Sequence, residues 1–276
     1  MQKLPTLFLS HGYPMHAINA GAAGEVWAAL AKQLPRPKAV LMVTAHWETN
    51  LPVFSGNAKP SMIYDFGGFP DALFKISYPA PGAPDIAAEA QALLKTAGIS
   101  AGIDGCRGLD HGTWVPLLKM YPNADVPIVQ LSVQSLMNPR HHFDVGRALV
   151  PLTKEGVLIV GSGHLTHNLR DWMMTRGQTA QAAYAQKFQS WVFDRLAAND
   201  IDSLSRYREV APDAMRAHPT EEHFLPLFVA LGAAGEDAKV ERVFDGFEGN
   251  ALAMDAYRFG SMMSPGPPSV NGPQDG

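Results

Sequence analysis

The chain has 276 residues, a formal net charge of -4 and 46% hydrophobic side chains. That is enough apolar material for a substantial core, and the charge is too evenly spread for a polyanion-binding face, which argues against nucleic acid as a partner. The single cysteine, Cys106, excludes an internal disulfide and fits a reducing compartment, and no apolar run approaches the ~20 residues that cross a bilayer. The opening stretch MQKLPTLFLS is too short for a secretory signal, so a cytoplasmic protein with no membrane partner is expected. A lone small thiol is usually inert packing, and Cys106 is read that way.

TLFLS (6–10) reads as a buried strand, and His11 stands where its apolar run stops. A helical pattern follows over 22–34, then a second strand, AVLMVTA (39–45), with His46 directly after it in VTAHW. The stretch from 50 to 82 mixes aromatics with many Gly and Pro, including YDFGGFP, and is expected to wall a pocket rather than form regular structure. Tyr64, Phe66 and Phe69 from this stretch, with Trp47, are candidates for lining an aromatic substrate pocket. A helix is predicted over 84–97.

Next comes GLDHGTW, where glycines flanking Asp110 and His111 suit a sharp turn close to a ligand. Asp110 could orient the His111 ring by accepting its N–H, or cap the turn. VPIVQLSV (126–133) and GVLIVGSG (156–163) read as further buried strands, separated by a helix over 141–153. His164 and His167 follow the last of these strands, and another helix is predicted over 178–198. In HPTEEHFLPLFVALGAA, Pro219 and Thr220 mark a helix start, with His223 in its first turn. The residues from 263 to 276 are Pro- and Gly-rich and read as a loose tail to a folded domain spanning 1–262.

Apolar strands interleaved with amphipathic helices predict a single α/β domain, its central sheet mostly parallel or mixed and covered on both faces. In such a sheet, ligands bind outside the carboxyl ends of the strands. His11, His46 and the pair His164 and His167 all fall at strand ends, and His111 and His223 lie where they can face the same crevice. Convergent imidazoles from distant segments suit a divalent metal such as iron or zinc, with His11 and His46 the leading ligands. His16, His141, His142 and His218 read as surface or loop residues. Ser162 lacks the G-x-S-x-G context of a nucleophile elbow, and no H-E-x-x-H helix, P-loop or G-x-G-x-x-G fingerprint is present.

The segments LFLSHGYPM, VTAHW, YDFGGFP, YPAPG, GLDHGTWVPL, VQLSV, GSGHLTHNL and PTEEHFLPLFVALGA, in that order, resemble the class III extradiol ring-cleavage dioxygenases, in the DOPA 4,5-dioxygenase-like branch of the LigB superfamily. The resemblance implies a mononuclear metal site that opens a catechol ring with O2, inserting both oxygen atoms. It places His11, His46 and His223 on the metal, and His167 as acid/base or fourth ligand. His111 becomes a catalytic histidine beside the metal. LigB enzymes complete their ligand set with Glu. Here His223 stands at that place, with Glu221 and Glu222 beside it, and a three-histidine set suits Fe(II) for activity and also accommodates Zn(II).

His164 has no role assigned. The implied partners are a small catechol and O2, with the oligomeric state left undetermined. Two other readings use the same histidines. One is a zinc hydrolase with Glu222 or His167 as base. The other is a metal-binding protein without catalysis, against which the presence of both His111 and His167 beside the ligand set argues.

Overall fold

The computed structural model describes residues 3–260 apart from 176, 179 and 237. Ten strands are present among the described residues: β1 (Thr6–Ser10), β2 (Ala39–Glu48), β3 (Val53–Ser55), β4 (Gly102–Asp104), β5 (Ile128–Val133), β6 (Val157–Gly163), β7 (Lys239–Phe244), β8 (Phe247–Glu248), β9 (Leu252–Ala253) and β10 (Ala256–Gly260). Eight of them form one mixed sheet in the order β4-β3-β5-β2-β6-β1-β10-β7, while β8 and β9 form a separate hairpin. The middle of the sheet is parallel, with β2 pairing β5 and β6, and β6 pairing β1. The edges add antiparallel pairs, β3 with β5 and β10 with both β1 and β7. The domain is therefore α/β with a mixed sheet, as predicted.

The principal helices are α1 (Gly21–Gln33), α2 (Pro84–Thr96), α3 (His111–Met120), α4 (Pro139–Ala148), α5 (Val150–Lys154), α6 (Leu169–Met174), α7 (Ala183–Ala197), α8 (Ile201–Ser205), α9 (Tyr207–Val210), α10 (Ala214–Ala217) and α11 (Leu225–Ala234). Strand pleating sends alternate side chains to opposite faces. Leu7 and Leu9 of β1, Val40 and Met42 of β2, and Leu158 and Val160 of β6 pack with Trp27 of α1 and Trp114 of α3. Phe8 points the other way, into a cluster with Phe188 of α7 and Phe228 of α11. Leu41, Val43, Val157 and Ile159 share that opposite face with α2 and α4. Strands buried on both faces explain why their sequences read as continuous apolar runs.

Several boundaries shift from those predicted. The helix expected over 141–153 is divided into α4 and α5 around Leu149, because Pro151 has no N–H to continue the ladder. The helix predicted from 178 starts at Ala183. Within the aromatic stretch, β3 adds a short strand against β5 that its Gly- and Pro-rich surroundings had hidden. His16, His142 and His218, read as surface or loop residues, are buried, and His141 is partly so. The residues assigned to the tail, from 263 on, lie outside those described.

α11 is apolar on every side and wholly buried. Glycines make its seat. A Cβ on Gly146 would stand 2.2 Å from Val229 O, and one on Gly232 would stand 2.1 Å from Phe143 O, so α4 and α11 cross backbone to backbone. On the sheet side, a Cβ on Gly161 would meet Pro226 O at 2.3 Å, and one on Gly163 would meet His223 O at 2.1 Å. The bare backbone of β6 thus lets the chain entering α11 lie directly upon it.

Candidate active site

At the carboxyl ends of β1, β2 and β6, a cavity of about 370 Å³ opens, bordered by His11, His46, His111, His164, His167 and His223. His11 follows β1, with its N–H bonded to Gly163 O at 3.0 Å, and Gly12 (φ +70°) turns the chain away after it. His46 lies inside β2 rather than beyond it, in the stretch where the register with β5 is broken between Val43 and Glu48. His223 does not occupy a helix's first turn. It sits in the turn before α11, where the N–H groups of Phe224 and Leu225 bond Glu221 O. Its carbonyl accepts the His164 N–H at 2.8 Å, which ties that turn to the end of β6.

The hydrogen bonds assign the ring tautomers. Ser162 Oγ–H donates to Gly112 O, so toward His11 Nδ1, 3.0 Å away, it can only accept. The His11 proton therefore sits on Nδ1. His46 Nδ1 stands 3.3 Å from Asp65 Oδ2, and His223 Nδ1 stands 2.9 Å from Glu222 Oε1, so their protons sit on Nδ1 as well. Three Nε2 lone pairs are left facing one region. The Nε2 atoms of His11 and His46 are 3.1 Å apart, and His223 Nε2 is buried without a hydrogen-bond partner among the described residues. Nitrogens held about 2.1 Å from one ion at near right angles stand about 3 Å apart, so this spacing fits a shared metal. Ligand atoms of His11, His46 and His223 all lie within 4.8 Å of one another.

Burial lowers the proton affinity of these rings. It holds His11 and His223 well below the ordinary imidazole range, and neighbouring imidazoles add to the effect. Burial, then the adjacent His111, brings His46 down to about 3. Bare nitrogens facing each other in a dry site are unfavourable to each other and favourable to a cation.

Asp65 is the acid that sequence reading missed. One of its oxygens, Oδ1, accepts from both the His111 N–H (3.0 Å) and Nδ1 (2.9 Å), while Oδ2 faces His46. Burial alone would raise the Asp65 carboxyl, but the His111 hydrogen bond and the neighbouring imidazoles bring it down to about 2. Of the two roles open to Asp110, it takes the cap: it accepts from Thr113 N at the start of α3 and also binds Thr44 Oγ1 (2.8 Å) and Arg107 Nη2 (2.9 Å), leaving the His111 ring to another partner. The orienting oxygen came from a residue 46 positions away rather than the adjacent one. Gly112 serves close approach, since a Cβ there would stand 2.9 Å from His46 Cδ2. His167 stacks on His223 with ring centroids 3.4 Å apart, and its Nδ1 is 4.0 Å from Glu222 Oε1. Glu222 thus stands beside both rings.

Phe66 and Phe69 border the cavity, whereas Trp47 and Tyr64 do not. Trp47 neighbours His46 in β2, so pleating turns it to the other side, where Arg107 lies over its ring at 4.9 Å. Tyr64 packs against Phe74 and Trp114 and donates its hydroxyl to Ile76 O at 2.6 Å. In their place stand Tyr13 and Trp172, with ring centroids 5.8 Å apart. Tyr13 sits two residues after His11 and was within reach of sequence reasoning. Trp172 was not, because it arrives on α6 from after β6.

Comparison with known proteins agrees with this geometry. Residues 5–260 match the family described as the catalytic LigB subunit of aromatic ring-opening dioxygenase. The chain is 42% identical over 260 residues to a 4,5-DOPA dioxygenase extradiol of Beta vulgaris, covering 93% of this chain and 96% of that one. It is 36% identical over 261 residues to a protein of the same description from Escherichia coli, covering 94% and 95%. A crystal structure of an uncharacterized Escherichia coli protein superposes with a TM-score of 0.80 at 34% identity, covering 92% of this chain and 99% of the other. With its metal-suited histidine cluster at the sheet's carboxyl edge and a match along nearly its whole described length, the chain belongs to the LigB family of aromatic ring-opening dioxygenases.

Proposed function

We propose that this dioxygenase opens catechol-type rings at a single Fe(II) held by His11, His46 and His223. The observation that carries this reading is the set of three Nε2 atoms, each with its own Nδ1 proton committed elsewhere, turned toward one point. Three neutral nitrogen donors fit a divalent ion and leave room beside it for a chelating diol and O2. Zinc has no redox chemistry, and oxygen insertion calls for a metal that exchanges electrons with O2 and the catechol, which iron supplies when bound.

The remaining side chains then have separable tasks. Phe66, Phe69, Tyr13 and Trp172 give the ring apolar faces and exclude water. His167, which burial holds well below the ordinary imidazole range, offers a neutral ring to take a proton from a catechol hydroxyl. Glu222 can receive part of that charge through its position near both His167 and His223. Asp65 fixes the His111 ring by its Nδ1, leaving Nε2 to hold or deliver a proton to an oxygen of the reacting group. Relatives of this chain carry the description 4,5-DOPA dioxygenase extradiol, and a catechol with a short side chain is the substrate class proposed here.

Anaerobic loading with Fe(II) followed by a catechol panel tests the proposal. Uptake of one O2 per ring with a yellow ring-opened product is expected. No oxygen consumption on any catechol, together with hydrolysis by zinc-loaded protein, would overturn it.

A further inference from the structure

Beside the histidine cavity lies a second one of about 300 Å³, bordered by Tyr13, His16, Asn19, Phe244, Phe247 and Glu248. Tyr13 borders both cavities. Trp172 and Leu252 line the histidine cavity, and the Trp172 Nε1 stands 2.8 Å from where a side chain on Gly249 would begin. The β8–β9 hairpin therefore presents Gly249 and Leu252 to the catalytic side and Glu248 to the neighbouring cavity.

Glu248 is hard to explain as a structural residue. Its Oε2 is buried and has no hydrogen-bond partner among the described residues. The nearest ionisable nitrogen, His16 Nε2, is 3.7 Å away, beyond hydrogen-bond reach, and burial lowers the affinity of His16 for a proton. Burial pushes the Glu248 carboxyl up to about 8. A buried carboxylate oxygen without a donor calls for one, and aromatic rings beside a carboxylate are the chemistry that recognises an organic ammonium ion.

We propose that Glu248, with the Tyr13 and Phe247 rings, forms a subsite for the ammonium end of an amine-bearing catechol and so sets substrate preference in the ring-opening reaction. The inference rests on the catalytic reading of the histidine cavity. Tyr13 is common to both linings, so an alkyl chain reaching Glu248 from the ring site would run beside it. An ammonium group at its end supplies the donor that Glu248 lacks and draws the carboxyl back to its ionised form.

The test compares dopamine with 4-ethylcatechol, which has a similar shape without the charge. The iron-loaded protein, Glu248→Gln and Phe247→Leu are measured by anaerobic calorimetry for Kd and by oxygen uptake for kcat/KM. The wild-type protein is expected to favour dopamine by about tenfold or more in Kd. Glu248→Gln should bring the ratio of the two ligands close to one, and Phe247→Leu should reduce it severalfold. Equal binding of both ligands by the wild-type protein, or an unchanged ratio in Glu248→Gln, overturns the subsite. If Glu248→Gln fails to fold, Phe247→Leu decides: a wild-type ratio in that variant overturns the proposal. Binding without opening of either ring would instead defeat the catalytic reading, and the Kd ratio would still decide the role of Glu248.

Discussion

His11 and His46 have their Nε2 atoms 3.1 Å apart because each ring is held from behind, by Ser162 and by Asp65. Removing either imidazole leaves too few donors, so His11→Ala and His46→Ala are expected to lose the bound metal, measured as metal per chain after gel filtration. His111→Ala should keep the metal and lose turnover. Asp65→Asn should keep most of its metal and lower kcat by about 10- to 100-fold, the usual effect of removing a carboxylate that orients a working histidine. Wild-type turnover in Asp65→Asn would remove Asp65 from the mechanism. His11 could be read from the sequence because an imidazole ending a buried apolar run is out of place. The partnership of Asp65 with His111 could not, since it joins a loop to a helix start across 46 residues and leaves no local pattern.

β6 and α11 show how elements carry the site. Gly163 has no Cβ, so the His223 carbonyl can lie against the strand and accept the His164 N–H. Gly163→Ala would put a methyl group 2.1 Å from that oxygen, and backbone must move. The expected cost is about 1–3 kcal/mol in urea unfolding, together with weaker metal binding by the displaced His223. Unchanged stability and metal content would show that the close approach is not needed. The glycines of GSGH were visible in the sequence beside a strand end. Their purpose was not, because the partner atoms come from residues 223–226, on a segment with no sequence neighbourhood in common. Pro151 is the converse case: its missing N–H is a property of the covalent structure, yet the predicted helix over 141–153 runs straight through it.

Across the molecule, buried histidines couple folding to pH. His142 donates from Nδ1 to Asn138 O and accepts the Gln134 N–H on Nε2, and His218 Nε2–H donates to Leu165 O. The acceptor role of His142 Nε2 needs a neutral ring, and burial, which disfavours the charged form, lowers both residues to about 4. In the unfolded chain they take protons near 6.5. The unfolded state therefore binds more protons between these values, so stability is full above about 6.5 and falls as pH drops toward 4. Each histidine contributes at most roughly 3 kcal/mol to that loss. Chelator-treated protein unfolded in urea at pH 7.5, 6.0 and 5.0 should show a falling midpoint, and a flat profile would contradict neutral burial of these rings.

The layered α/β architecture was legible from local order alone: apolar runs fit only strands covered on both faces, and the spacing between them fits only helices. The leading histidines were equally visible, because strand ends in such a sheet gather along one edge. Folding settled what no local pattern encodes. It chose Asp65 over Asp110 as the partner of His111, turned Trp47 and Tyr64 away from the cavity, and brought Tyr13 and Trp172 to its wall. Residue chemistry and periodicity act between chain neighbours and can be read in one dimension. Hydrogen-bond partners and cavity walls depend on how separate segments pack, and that is a property of the closed three-dimensional core.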